Sequence, residues 1–195
     1  MAASPSLKQY ERFTYADYLT WPDDERWEII DGVAYAMSPA PGSLHQRISM
    51  DLSRQFATFL KGKTCKVYAA PFDVRLAEQS GLTDDKIETV VQPDIVIICD
   101  ANKIDNRGSN GPPDLIIEIL SPSSAAFDLK QKFELYQRHH VKEYWIIHPA
   151  EMTVFVYNLS CAGIYESPKR YAQDDKIPVS LLGELVIDLA EAFAE

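Results

Sequence analysis

The 195-residue chain is short of cysteine, of positive charge and of long apolar runs. Each shortage excludes something. Its three cysteines, Cys65, Cys99 and Cys161, are an odd set, far apart and without a Cys-x-x-Cys pair. That pattern signals neither a disulfide framework nor a zinc site. Cys99, at the end of an apolar run, reads as a small buried hydrophobe. No stretch approaches the roughly 18 apolar residues of a membrane span. Met1 to Lys8 lacks the apolar segment of a secretion signal, so the expected location is cytoplasmic. Lys and Arg number 19 against 29 Asp and Glu, a formal net charge of −10. Proteins that coat nucleic acid nonspecifically rest on Lys and Arg at phosphates, and this composition argues against that role. The charge is uneven, however. Acids cluster at Asp23-Asp24-Glu25, Asp84-Asp85, Asp174-Asp175 and the C-terminal tail, whereas Lys130 to Lys142 is locally basic. The balance therefore weakens a nucleic-acid role without removing it. A Gly-rich phosphate loop, a nucleophile elbow and a Cys–His pair are also missing.

What is present is an ordinary globular composition. The apolar fraction is 46%, and the length suits one domain, residues 1–195, with a loose tail over residues 1–10. Tyr15 to Leu19 reads as a short helix capped by Thr14. Trp27 to Met37 reads as a hairpin, because Asp31-Gly32 is a strong two-residue turn signal. Ser43 to about Leu60 carries Leu44, Ile48, Leu52, Phe56 and Phe59 at helical spacing, with Ser43 to Gln46 fitting a capping box and Gly62 as a stop. Cys65 to Leu76 is strand-like, and Ala77 to Glu88 and Asp100 to Gly111 read as loops. The continuous apolar runs within Val90 to Cys99 and Asp114 to Leu120 are typical of strands buried on both faces. A helix from about Ala126 to His139, strands from Val141 to His148 and Thr153 to Tyr157, a short strand pair and a terminal helix near Leu189 complete the chain. That order predicts an α/β fold with a mixed β-sheet and helices on both faces.

Candidate chemistry starts with Glu118, a carboxylate inside an apolar strand. An unpaired buried charge costs several kcal/mol or more, so Glu118 needs a base, a set of hydrogen bonds or a metal. The blander readings are a core salt bridge or a glutamate exposed at a sheet edge. Asp94 opens the preceding apolar run just after Pro93. Alone, Pro-Asp is more often a turn. If the two strands are neighbours, the two carboxylates meet, and they repel unless a cation or proton lies between them. Hard cations such as Mg²⁺ suit these oxygen ligands. Lys132 is the third member, on one face of the next helix with Asp128 and Tyr136 at i, i+4 spacing. It is either a surface partner of Asp128, worth little, or a lysine reaching the site. His45, in the first turn after Ser43, suits a phosphate or plain solvent about equally. His139-His140 read as a helix C-terminal cap, and His148 as part of a turn.

These residues together resemble a known group. Pro93-Asp94, an apolar strand bearing Glu118, and a helix bearing Lys132 look like the PD-(D/E)xK nuclease superfamily. More closely, the chain resembles the Uma-type family of restriction-endonuclease-like proteins. The matching segments are Trp27 to Gly32, Ser43 to His45, Gln92 to Asp94, Leu115 to Ser124, and Asp128 through Lys132 and Tyr136 to Trp145. Glu118 followed by Leu120-Ser121-Pro122-Ser123-Ser124 is the most specific element. The superfamily lysine ordinarily stands two residues after the strand acid, which here is Leu120. The Uma-type pattern takes its lysine from the following helix, which maps onto Lys132, with Lys130 as the neighbouring candidate.

The resemblance implies a restriction-endonuclease-like fold with an N-terminal hairpin and hydrolysis of phosphodiester bonds, usually with Mg²⁺ (or Mn²⁺), often by a homodimer. Asp94 and Glu118, helped by the carbonyl of Ile119, are then the expected metal ligands. Lys132 is expected to stabilise the transition state. Glu28 matches a recurrent family position, as a further ligand or as support. The expected partner is nucleic acid, DNA first, with no membrane. The rival expectation is a catalytically inactive nucleic-acid-binding or protein-interaction module that kept the fold. The acidic net charge favours that rival modestly.

Overall fold

The computed structural model describes residues 12–194 except 23, 38–40, 80 and 122–127. In chain order the elements are α1 (Tyr15–Tyr18), β1 (Trp27–Ile30), β2 (Val33–Ala36), α2 (Ser43–Leu60), β3 (Lys66–Ala69), β4 (Val74–Arg75), β5 (Val90–Val91), β6 (Ile95–Ile98), β7 (Ile104–Asp105), β8 (Gly108–Asn110), β9 (Leu115–Ile119), α3 (Phe133–Arg138), β10 (Glu143–His148), β11 (Thr153–Asn158), β12 (Lys169–Ala172), β13 (Lys176–Pro178), β14 (Val186–Asp188) and α4 (Leu189–Ala192). A π-helical turn, Asp128–Lys132, leads into α3.

The central sheet has the order β12-β11-β10-β9-β6-β3. Its one parallel pair is β9–β10, joined through α3, and its other pairs are antiparallel. Strand β6 shows why a continuous apolar run is needed. Ile95 and Ile97 enter the core beneath α2, with Ile48, Leu52, Phe56 and Leu60. Val96 and Ile98 enter the opposite core, with Leu135 and Tyr136 of α3. Both sets belong to one strand because successive side chains point to opposite faces. Strand β9 divides in the same way, Leu115, Ile117 and Ile119 toward α2 and Ile116 toward α3. This parity turns Glu118 toward α3.

A second six-stranded sheet, β2-β1-β5-β4-β8-β7, packs on the α3 side, where Ile30, Val74 and Val91 join the core of Val96 and Ile116. The sequence predicted one mixed sheet. The second is built largely from two- and three-residue strands, too short for an alternation to register. Its β7 and β8 fall in the stretch expected to be loop. The hairpin is as expected, with Asp31 and Gly32 both at positive φ, 50° and 77°, the two-residue turn that matches strand twist.

Two expectations need correction. Helix α2 is capped by Gly42 without a side-chain bond, so Ser43 is its first residue and no capping box forms. Leu44 is exposed, and Leu60 takes the buried place expected of Phe59. Cys65 and Cys99 form a disulfide. The β3–β6 register, with Lys66 opposite Ile98, places them across from each other. Strand pairing made this partnership, and cysteine spacing carries no trace of it. Cys161 is free and exposed. Among the described residues no helix is long and apolar enough to cross a membrane.

Candidate active site

Asp94 immediately precedes β6, and Ile95 lies opposite Ile117 in the antiparallel β6–β9 pair. That register brings Asp94 to the C-terminal end of β9. The Ile119 N–H donates to Asp94 Oδ2 at 2.7 Å, and the Ala70 N–H donates to the Asp94 carbonyl at 3.0 Å. The other carboxylate oxygen, Oδ1, accepts no hydrogen bond among the described residues, and the side chain is 20% exposed. Glu118, one residue earlier on β9, is buried. Its Oε1 accepts from Lys132 Nζ at 3.0 Å and from the Tyr136 hydroxyl at 2.6 Å. Both donors reach one oxygen because residues four apart lie on the same helical face.

Lys132 is itself buried, and its Nζ also lies 3.1 Å from Glu28 Oε1. Glu28 projects from β1, and the same Oε1 accepts the Gln92 N–H at 2.9 Å. Two buried carboxylates thus share one ammonium. Desolvated charges persist only where pairing and hydrogen bonds are close, and here each acid has both. Burial first, then the Glu118 and Glu28 charges, pushes the Tyr136 hydroxyl well above its usual range. Tyr136 therefore stays a neutral donor to Glu118.

His45 stands in the first turn of α2 with Nε2 3.2 Å from Asp94 Oδ2. Burial alone would lower its pKa. The bond to Asp94, that carboxylate's charge and the Ile119 carbonyl outweigh burial and raise it. His45 is thus a half-buried partner of Asp94, rather than a solvent-facing residue, and its buried Nδ1 has no hydrogen-bond partner among the described residues.

The remaining candidates separate clearly. Lys130 is exposed, so Lys132 is the lysine that joins the carboxylates. The side chain of Asp128 lies outside the described residues. His139 closes α3 and is buried beside Glu78, and His148 ends β10. Tyr144 and Trp145 are core residues.

Sequence reasoning did not single out the support around Glu28. The Gln92 side chain accepts from Arg26 and donates to Asp73 and the Tyr18 hydroxyl, and Tyr15 and Tyr18 both donate to Asp73. This network fixes the peptide that holds Glu28. The only available signal was that Gln92 sits directly before Pro93-Asp94.

A family model, Uma2, described as "Putative restriction endonuclease", matches residues 15–190. The chain belongs to the Uma2 family. It is 25% identical over 186 residues to the uncharacterized protein slr1290 of Synechocystis sp., covering 94% of this chain and 92% of that one. It is 27% identical over 139 residues to sll1609 of the same organism, covering 69% of this chain and 73% of that one. A crystal structure described as "a putative nuclease belonging to DUF820 from Anabaena variabilis" superposes with a TM-score of 0.73, covering 93% of this chain and 98% of that one at 21% identity. That likeness establishes the restriction-endonuclease-like α/β fold of this Uma2 protein.

Families with this fold usually use divalent metals. Among the described residues no group of three His, Cys, Asp or Glu is arranged to hold one. The donor set nevertheless fits Mg²⁺, which takes one or two carboxylates and keeps several waters. Asp94 Oδ1 accepts no hydrogen bond among the described residues, and Glu118 lies on the neighbouring strand β9.

Proposed function

We propose that this Uma2 protein is a metal-dependent endonuclease that hydrolyses phosphodiester bonds of DNA. Asp94, Glu118 and the Ile119 carbonyl would hold Mg²⁺ or Mn²⁺, and Lys132 would be the cation beside the reacting phosphate. The observation that best supports this reading is the buried contact of Lys132 Nζ with Glu118 Oε1 at 3.0 Å. Residues 94, 118 and 132 come from three elements, and folding gathers them at one sheet end.

A divalent ion in such a site supplies Lewis acidity toward a phosphate oxygen and lowers the pKa of water. The chain's own residues have separate tasks. Lys132 Nζ and the Tyr136 hydroxyl hold the Glu118 carboxylate in place through Oε1. The Ile119 N–H fixes the Asp94 carboxylate through Oδ2 and leaves Oδ1 without a hydrogen bond among the described residues. Glu28 holds the Lys132 ammonium in place, where it can offset negative charge developing on phosphate.

The test compares wild type with Asp94→Asn and Glu118→Gln. Asparagine keeps an oxygen acceptor for the Ile119 N–H, so the fold is retained. Calorimetric Mn²⁺ titration and nicking of supercoiled plasmid are the readouts. Wild type is expected to bind the ion and cut, and both folded variants to do neither. Full cleavage by folded Asp94→Asn would sink the assignment. Wild type that binds DNA in Ca²⁺ yet never cuts in Mg²⁺ or Mn²⁺ would favour the inactive binding module.

A further inference from the structure

A cavity of about 430 Å³ is lined by Leu44 and Arg47 at the start of α2, Pro149 and Met152 in the turn after β10, and Phe193. Leu44 and Arg47 flank His45 on α2, and His45 is the residue that touches Asp94. Pro149 and Met152 lie in the turn after β10, just beyond the Ile147–Ile119 pair. The cavity therefore opens at the same sheet end as Asp94, within about one helical turn of it along α2.

Arg12, Arg54, Arg75, Arg107 and Arg138 each pair with a carboxylate, and Arg26 bonds the Gln92 side chain. Arg47 makes no hydrogen bond or ion pair among the described residues, and its buried Nε has no acceptor. In a chain with a net charge of −10, a guanidinium left without a carboxylate partner in a cavity fits an external anion. Guanidinium suits phosphate because it offers paired donors in one plane. Leu44 and Met152, large apolar side chains exposed at 38% each, offer an apolar surface that a base or sugar face covers.

We propose that this cavity is a nucleotide subsite: it takes the substrate-strand unit adjoining the scissile phosphate, with that unit's phosphate on Arg47 and its apolar face against Leu44, Met152 and Phe193. The proposal rests on the nuclease reading and adds a binding residue to it. It also gives a physical route by which an acidic protein engages nucleic acid, through a local cation beside the site.

The experiment measures binding of a fluorescein-labelled DNA duplex in CaCl₂ by anisotropy, across a KCl series. Wild type, Arg47→Ala, Arg47→Lys and Lys61→Ala are compared, Lys61 lying at the far end of α2. Arg47→Ala should weaken binding and make the slope of log K against log[salt] shallower by about 0.9, the signature of one lost phosphate contact. Arg47→Lys should keep most of the slope, and Lys61→Ala should match wild type. Arg47→Gln serves as a second neutral variant if alanine impairs folding. Wild-type slope and affinity in a folded Arg47→Ala or Arg47→Gln protein would overturn the subsite alone. Altered self-association in light scattering with unchanged DNA binding would also overturn it, assigning the cavity to a second copy of the chain. Failure of wild type to bind the duplex at low salt would remove the nuclease reading and the subsite together.

Discussion

Lys132→Met is the perturbation that most directly tests how the site is held together. Methionine preserves length and apolar character but removes the one ammonium shared by Glu28 and Glu118, both within 3.1 Å of it. Glu118 keeps the Tyr136 hydroxyl and Glu28 keeps the Gln92 N–H, but neither bond neutralises a charge. Breaking a buried pair by removing one partner costs about 3–5 kcal/mol. For a chain of this size that lowers the melting midpoint by roughly 6–20 °C. Adding Glu28→Gln should recover part of the loss by removing one of the two acids that face the missing ammonium. Urea unfolding of the four proteins of this cycle at neutral pH reads both effects. A deficit below about 1 kcal/mol would refute the reasoning, since it would place the pair in the solvent-screened class.

Tyr136→Phe removes a second donor to Glu118 and should cost about 1–2 kcal/mol, more than a surface hydroxyl would; urea denaturation reads it, and a change within error would mean the 2.6 Å bond is dispensable. Glu143 lies far along β10 from the site, where burial raises its pKa against the opposing pull of the Trp145 indole N–H and the Leu181 backbone. Its stabilising contribution is lost as pH rises through that raised pKa, so Glu143→Gln should gain on wild type in thermal melts between about pH 4 and pH 7. The opposite trend would contradict the burial assignment. Gly108 has φ +123°, and a Cβ there would collide with the Asp73 carbonyl, which accepts the Ser109 N–H. Gly108→Ala should cost more than about 1 kcal/mol and loosen the Tyr15–Tyr18–Asp73 group, visible as a weakened near-ultraviolet tyrosine signal; an unchanged spectrum and midpoint would mean that the turn yields freely.

Much of the fold was legible because its signals are local. The positive-φ turn at Asp31-Gly32, the apolar face of α2 and the two-faced apolar runs of β6 and β9 are set by residues adjacent in sequence. The second sheet was not legible, since β4 and β5 are two residues each and exist only through partners elsewhere. The same distinction separates the site residues. Asp94, Glu118 and Lys132 could be proposed because a carboxylate in an apolar strand demands a partner wherever it lies. The disulfide, the His45–Asp94 contact and the Gln92–Asp73 network arise from register and packing, with no such demand visible in the chain.

Glu28 is the instructive intermediate case. Its position in a half-polar hairpin excites no suspicion by itself, and only family resemblance marked it. The structure supplies the physical reason. Strand β1 runs beside β5, with Ile29 opposite Val90, so Glu28 meets the Gln92 N–H just ahead of Pro93-Asp94 and reaches across to Lys132. A lysine drawn from a helix, rather than from the strand position held here by Leu120, has a longer path to the carboxylates and more conformations to lose. A second buried acid on the far side of Nζ restricts that freedom. On this argument Glu28 and the displaced lysine belong together: a lysine taken from the π-helical turn ahead of α3 is held by an acid on β1.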